Sequence, residues 1–126
     1  AAPERPVIAF AGDGCFQMTG QELATAVQYD AGIVVIVVNN SSYGTIRMHQ
    51  ERQYPHRVTG TDLRNPDFAA LARAHGAHGE LVSDQASFAP AVERALSAGG
   101  PALIEVRTDL EQISPAKTIT DLRAGR

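Results

Sequence analysis

Short apolar runs punctuate this chain at intervals, and stretches with helical spacing separate them. Residues 7–11 (Val-Ile-Ala-Phe-Ala) are apolar throughout and stop at a glycine turn, the pattern of a strand buried on both faces of a parallel sheet. Residues 33–38 are six β-branched residues in a row and predict a strand near the sheet centre. Residues 79–83 and 102–106 predict two further strands. Thr19 and Glu22 have the spacing of a capping box, which predicts a helix starting there, with Leu23, Ala26, Val27 and Tyr29 or Asp30 on one face and Gly32 as its stop. Residues 45–53 are helix-compatible, and residues 54–60, with Pro55 and Gly60, read as loop. Asn65 as N-cap and Pro66 at the first helical position predict another helix, with Phe68, Leu71, Ala72 and His75 on one face and Gly76 ending it. Asp84 or Ser87 caps the next, which carries Phe88, Ala91, Val92, Ala95 and Leu96, with Pro90 in its first turn and Gly99-Gly100-Pro101 closing it. Residues 108–126 have weak periodicity and read as a C-terminal tail that packs on something else.

Strands alternating with helices predict an α/β fold: a three-layer, doubly wound, mainly parallel sheet with helices on both faces, formed by residues 1–126 as a single domain. One hundred and twenty-six residues suffice for one core, and 44% hydrophobic with 20% charged residues is ordinary for a globular protein. A net charge of -3, no basic stripe and seven aromatics (four Phe, three Tyr) argue against nucleic-acid binding. No apolar run is long enough to span a membrane, and the opening Ala1-Ala2-Pro3-Glu4 has no secretory pattern. The lone Cys15 leaves no intrachain disulfide and little basis for structural zinc, and the expected location is the cytoplasm.

Two strand ends carry the candidate chemistry. Gly12-Asp13-Gly14 follows the first apolar run and Asn39-Asn40 follows the second, with the 24 residues 15–38 between them. That interval holds one crossover helix and the second strand, so both ends face the same sheet edge, where open α/β sheets bind ligands. Asp13 offers a hard anionic oxygen, Asn40 a carboxamide oxygen, and the following loop a backbone carbonyl. Magnesium takes such a set when phosphate and water complete its six oxygens. Backbone N–H groups around Gly14, Cys15 and Gly44 suit a diphosphate.

Gly12-Asp13-Gly14, the 24-residue interval and Asn39-Asn40 resemble the cofactor motif of thiamine diphosphate enzymes. Residues 12–26, residues 39–47, Asn65-Pro66-Asp67-Phe68 and residues 101–106 resemble the acetolactate synthase-like branch, in its C-terminal diphosphate-binding domain. The resemblance implies thiamine diphosphate and Mg2+ as cofactors. It implies Asp13, the side chain of Asn40 and the carbonyl of Ser42 as metal ligands. Gly12, Gly14, Cys15, Tyr43 and Gly44 join these three around the diphosphate, and Thr45, Ile46 and His49 face the thiazolium and substrate. The activity implied is decarboxylation of a 2-oxo acid with carboligation of the remaining fragment to an acceptor.

The resemblance also implies parts that these 126 residues do not contain. The activating glutamate belongs to a pyrimidine-binding domain of the same or a partner subunit, and a glycine-rich segment precedes the first strand. The chain therefore reads as the later part of a diphosphate-binding domain, with no catalytic residue of its own, inactive alone and part of a homodimer or homotetramer at full length. Two alternatives remain: another branch of the superfamily (a simple 2-oxo acid decarboxylase, an oxidase or a hydroxyketone lyase), and a non-catalytic flavodoxin-like phosphate-binding module. For Met18 the expected role is packing at the helix entry. Surface solvation is expected for most of Arg47, Arg52, Arg57 and Arg64, and His75 is expected at an ordinary helix end.

Overall fold

A computed structural model describes residues 5–125; Ala1–Glu4 of the opening stretch and Arg126 of the predicted tail lie outside the described residues. Among these described residues four parallel strands, β1 (Val7–Gly12), β2 (Ile33–Asn39), β3 (His78–Val82) and β4 (Ala102–Arg107), form one sheet in the order β1-β2-β4-β3. Among the described residues six α-helices connect or follow them: α1 (Asp13–Thr19), α2 (Leu23–Gln28), α3 (Gly44–Gln53), α4 (Phe68–Ala74), α5 (Gln85–Ser97) and α6 (Ile119–Arg123).

Strand periodicity divides the core into two layers. Val35, Val37 and Leu103 point to one face, where Phe16 of α1, Leu23 and Ala26 of α2, and Phe68 and Ala72 of α4 cover them. Val34, Ile36, Ala102 and Ile104 point to the other, against Ala91 and Ala95 of α5. Helices thus lie on both faces, as the alternation predicts, and β2 is interior, paired on both sides. Phe16 and Phe68 meet edge to face, with ring centroids 5.5 Å apart.

The strand over residues 7–11 departs from its predicted double burial. β1 is an edge strand, and Phe10 is 71% exposed. Phe10 pairs with Ile36 and shares its face, but the α5 layer covers Ile36 and stops short of Phe10. Apolar content alone reports a preference for burial and not the presence of a covering element.

Two helix starts differ from their sequence predictions, and in a third helix a proline does. The first helix begins at Asp13, directly after β1, and Thr19 heads only a 3₁₀ turn over Gly20–Glu22 without side-chain capping. Glu22 accepts forward from Thr25 Oγ1 at 2.9 Å, so the predicted box does not close. Asp67, not Asn65, caps α4 by accepting from Ala70 N at 2.7 Å, which leaves Pro66 ahead of the helix. Of the two candidates for α5, Asp84 is the cap, and the early start puts Pro90 inside the helix, beyond its first turn.

The predicted tail does pack, by way of its own short helix. Thr118 and Asp121 form a capping box at the start of α6, Ile119 and Leu122 are buried, and the helix lies against α3. Arg123 of α6 donates through both Nε (2.9 Å) and a terminal nitrogen (2.6 Å) to Glu51 of α3, a fully buried carboxylate.

Candidate functional site

β1 hands the chain to α1 at Gly12–Asp13, and β2 hands it to the loop 39–43 that precedes α3. Because β1 and β2 are parallel and in register, with Gly12 opposite Val38, both turns emerge at the same edge. The second turn is shaped by its own side chains. Asn39 Oδ1 accepts from Ser41 N and Asn40 Oδ1 from Ser42 N, both at 3.0 Å. Ser41 takes a left-handed φ of 57°, and Ser42 bridges to Asp62, which seats the loop on residues 61–63. Tyr43 N donates to Thr61 O (2.9 Å) and Ser42 Oγ donates to the same carbonyl (3.0 Å).

Between the two turns lies an open cleft of about 380 Å³. All eight residues expected at the diphosphate line it, as do Thr45 and Ile46; His49, one turn further along α3 and exposed, does not. Val38, Met18 and Ile113 complete the lining. Met18 is 66% exposed, so it belongs to the cleft wall and not to the packed helix entry predicted for it. Ile113, in the segment before α6, reaches the cleft through tertiary packing, and no local sequence signal marks it. Arg47, read as solvated, is tied internally to Asp62 at 3.1 Å and lies 4.0 Å from Glu51. His75 is the C-cap of α4, the ordinary helix end expected.

The donors suit a magnesium-bound phosphate ligand. Asp13 is 2% exposed, and neutral groups hold both its oxygens: Gly14 N donates to Oδ1 (2.9 Å) and Asn65 Nδ2 to Oδ2 (2.6 Å). Among the described residues no basic side chain pairs with it. A buried carboxylate without a cationic partner is costly, and a bound cation removes that cost. Asn40 Oδ1 and the Ser42 carbonyl, which accepts from Gly44 N at 2.8 Å, each retain a second lone pair. Among the described residues no three His, Cys, Asp or Glu side chains cluster, so a metal here draws on amide, carbonyl and ligand oxygens.

The anion side of the cleft is the start of α3. Its N-cap, Tyr43, makes no side-chain cap and its first turn holds no acidic residue, which leaves helix-terminal N–H groups for a bound anion. Gly44 N itself is engaged with Ser42 O, and Tyr43 N with Thr61 O, so these two residues line the cleft with their amides already paired. Gly14 lies under the Tyr43 ring: a Cβ there would fall 2.7 Å from Tyr43 Cδ1 and nearer still to Cε1, so any larger residue displaces that ring from the cleft wall.

Comparison with known proteins gives the family. Residues 1–106 match the family model of the thiamine pyrophosphate enzyme C-terminal TPP binding domain. The mitochondrial acetolactate synthase catalytic subunit of Aspergillus candidus is 38% identical over 109 residues, covering 86% of this chain and 16% of that protein. The acetolactate synthase large subunit of Mycobacterium tuberculosis is 35% identical over 118 residues, covering 94% of this chain and 22% of that protein. Among solved structures, the benzoylformate decarboxylase of Polynucleobacter necessarius superposes with a TM-score of 0.78 at 33% identity, over 85% of this chain and 20% of that one. The chain thus spans about a fifth of the length of these relatives. With an acid, an amide and a carbonyl on one cleft and a family model matched from the first strand to the last, this chain belongs to the thiamine diphosphate enzymes, as a C-terminal cofactor-binding domain of acetolactate synthase-like type.

Proposed function

We propose that this domain holds magnesium and the diphosphate of thiamine diphosphate for an enzyme that decarboxylates a 2-oxo acid and joins the product to an acceptor. The observation that carries the reading is the single cleft lined by all eight expected residues. Asp13, Asn40 Oδ1 and the Ser42 carbonyl hold the metal, and the first turn of α3 receives the diphosphate. When bound, the cofactor supplies the carbon nucleophile and the electron sink for the reaction. The domain's share is to bind and orient: Thr45 and Ile46 face the reacting end, and Met18 and Ile113 add apolar walls that limit water. His49 is proposed only at the outer rim of the substrate path, given its place outside the cleft. The activating glutamate is supplied by a pyrimidine-binding domain of the same or a partner subunit, in a homodimer or homotetramer. The uncovered apolar face of β1 supports burial of this domain within a larger assembly.

No described helix is long and apolar enough to cross a membrane. The ordinary composition and lone cysteine support a cytoplasmic placement. Calorimetry of the full-length protein with thiamine diphosphate, with and without magnesium, tests the reading. Binding should require the metal and should vanish in Asp13→Ala; metal-independent binding, or no effect of the substitution, refutes it. The acetolactate synthase relatives favour carboligation, while the benzoylformate decarboxylase likeness keeps simple decarboxylation as the second reading. Product analysis with pyruvate separates the two.

A further inference from the structure

We propose that Asn65, from the loop before α4, is a positioning residue that orients Asp13 for the metal, and that a hydrogen-bond chain from buried Glu105 determines its direction. The proposal rests on the metal-binding reading of Asp13 given above. Asn65 Nδ2 donates to Asp13 Oδ2 at 2.6 Å and to Asn39 Oδ1 at 2.7 Å, which uses both of its hydrogens. Its Oδ1 accepts from Gln17 Nε2 at 2.7 Å. One half-buried amide thus joins the acid that follows β1 to the residue preceding Asn40 at the end of β2.

Backbone groups settle the direction of this chain. Asn39 Oδ1 accepts from the backbone N–H of Ser41, so that atom is the oxygen, and Asn39 Nδ2 faces Glu105 Oε1 at 2.8 Å. Glu105, fully buried on β4, also accepts from the backbone N–H of Phe68 through Oε2 at 3.0 Å. A carboxylate only accepts, so Asn39 must donate to it and present oxygen to Asn65. Asn65 must then present nitrogen, and the same nitrogen meets Asp13. Gly14 N holds the other Asp13 oxygen, so the carboxylate is gripped at both ends while each oxygen keeps a lone pair for a cation. Partners that orient a metal ligand in this way are worth about 10–100-fold in metal affinity.

The test is magnesium titration, by calorimetry, of the full-length protein with saturating thiamine diphosphate, alongside the melting temperature of the same protein without cofactor. Asn65→Ala should weaken magnesium binding roughly 10–100-fold. Asp67→Ala is the structural control: it removes the cap of α4, two residues away, without touching Asp13. It should lower the melting temperature and leave magnesium affinity unchanged. Equal affinity in Asn65→Ala and wild type overturns the proposal, as does an equal loss in Asp67→Ala. If Asn65→Ala does not fold, Gln17→Ala, on an exposed residue that steadies Asn65 Oδ1, should weaken magnesium by a few-fold; unchanged affinity there overturns the proposal. Failure of the wild type to bind magnesium with the cofactor is a separate result, which removes the metal-binding reading and this inference together.

Discussion

Replacing Glu51 by Gln removes one negative charge from between α3, whose first turn faces the cleft, and α6. Glu51 is fully buried, and the Arg123 guanidinium holds its carboxyl at about 2 from an ordinary 4.5. Burial opposes that shift, and the His56 N–H, donating at 3.1 Å, assists it. At ~1.4 kcal/mol per unit this depression corresponds to about 3 kcal/mol at neutral pH. Arg123 is 31% exposed, so solvent screens part of the attraction, and about 2–3 kcal/mol is expected. Gln also presents an NH2 where the carboxylate met only donors, which leaves at least one hydrogen bond unmade. The melting temperature should fall by roughly 10 °C. A group with a depressed pKa in the folded state stabilises above its unfolded pKa, and the contribution is lost as pH falls through the folded value. The gap between wild type and Glu51→Gln should therefore be full above pH ~5 and shrink by roughly half near pH 3. Glu80, whose carboxyl is lowered chiefly by the Arg94 guanidinium, titrates in both proteins and cancels from the difference. Urea unfolding followed by circular dichroism at pH 7 and pH 3 measures it. A difference below about 0.5 kcal/mol at pH 7, or one equal at both pH values, refutes the reasoning.

Other expectations follow from packing. Gly14→Ala drives a Cβ into the Tyr43 ring, which is partly exposed and can move; calorimetry should show cofactor binding weakened at least ten-fold, with stability reduced by only about 1 kcal/mol. Gly79→Ala should instead destabilise by about 3 kcal/mol in urea unfolding, because its Cβ meets the backbone oxygen of Ala69, which cannot swing aside. Phe68→Ala empties a fully buried site against Phe16 and should cost about 3–5 kcal/mol by the same measurement. Phe10→Glu, on the exposed edge strand, should change the stability of the isolated chain by under ~0.5 kcal/mol and reduce its self-association in sedimentation.

The alternation of strands and helices was legible in the chain because it rests on local periods. The run 33–38 has no polar break and becomes the interior strand β2. The site was legible for a related reason: Asp13 and Asn40 each end an apolar run, and the chain between them is long enough for one crossover. Helix starts were less so, because several residues compete to cap. Asn65-Pro66 has the composition of a cap, yet Asn65 is drawn off by Asp13, 52 residues away, and Asp67 takes the role.

Sequence alone thus determined the α/β class and the two turns that flank the cleft. Tertiary structure decided what depends on distant partners. It left Phe10 bare because the α5 layer stops short of it, brought Ile113 to the cleft, and tied Arg123 to Glu51 across 72 residues. Hydrophobic period and turn chemistry act over a few neighbours and are written in order along the chain. A buried ion pair, or an amide shared between two strand ends, depends on which segments the fold brings within 3 Å, and no local pattern encodes that.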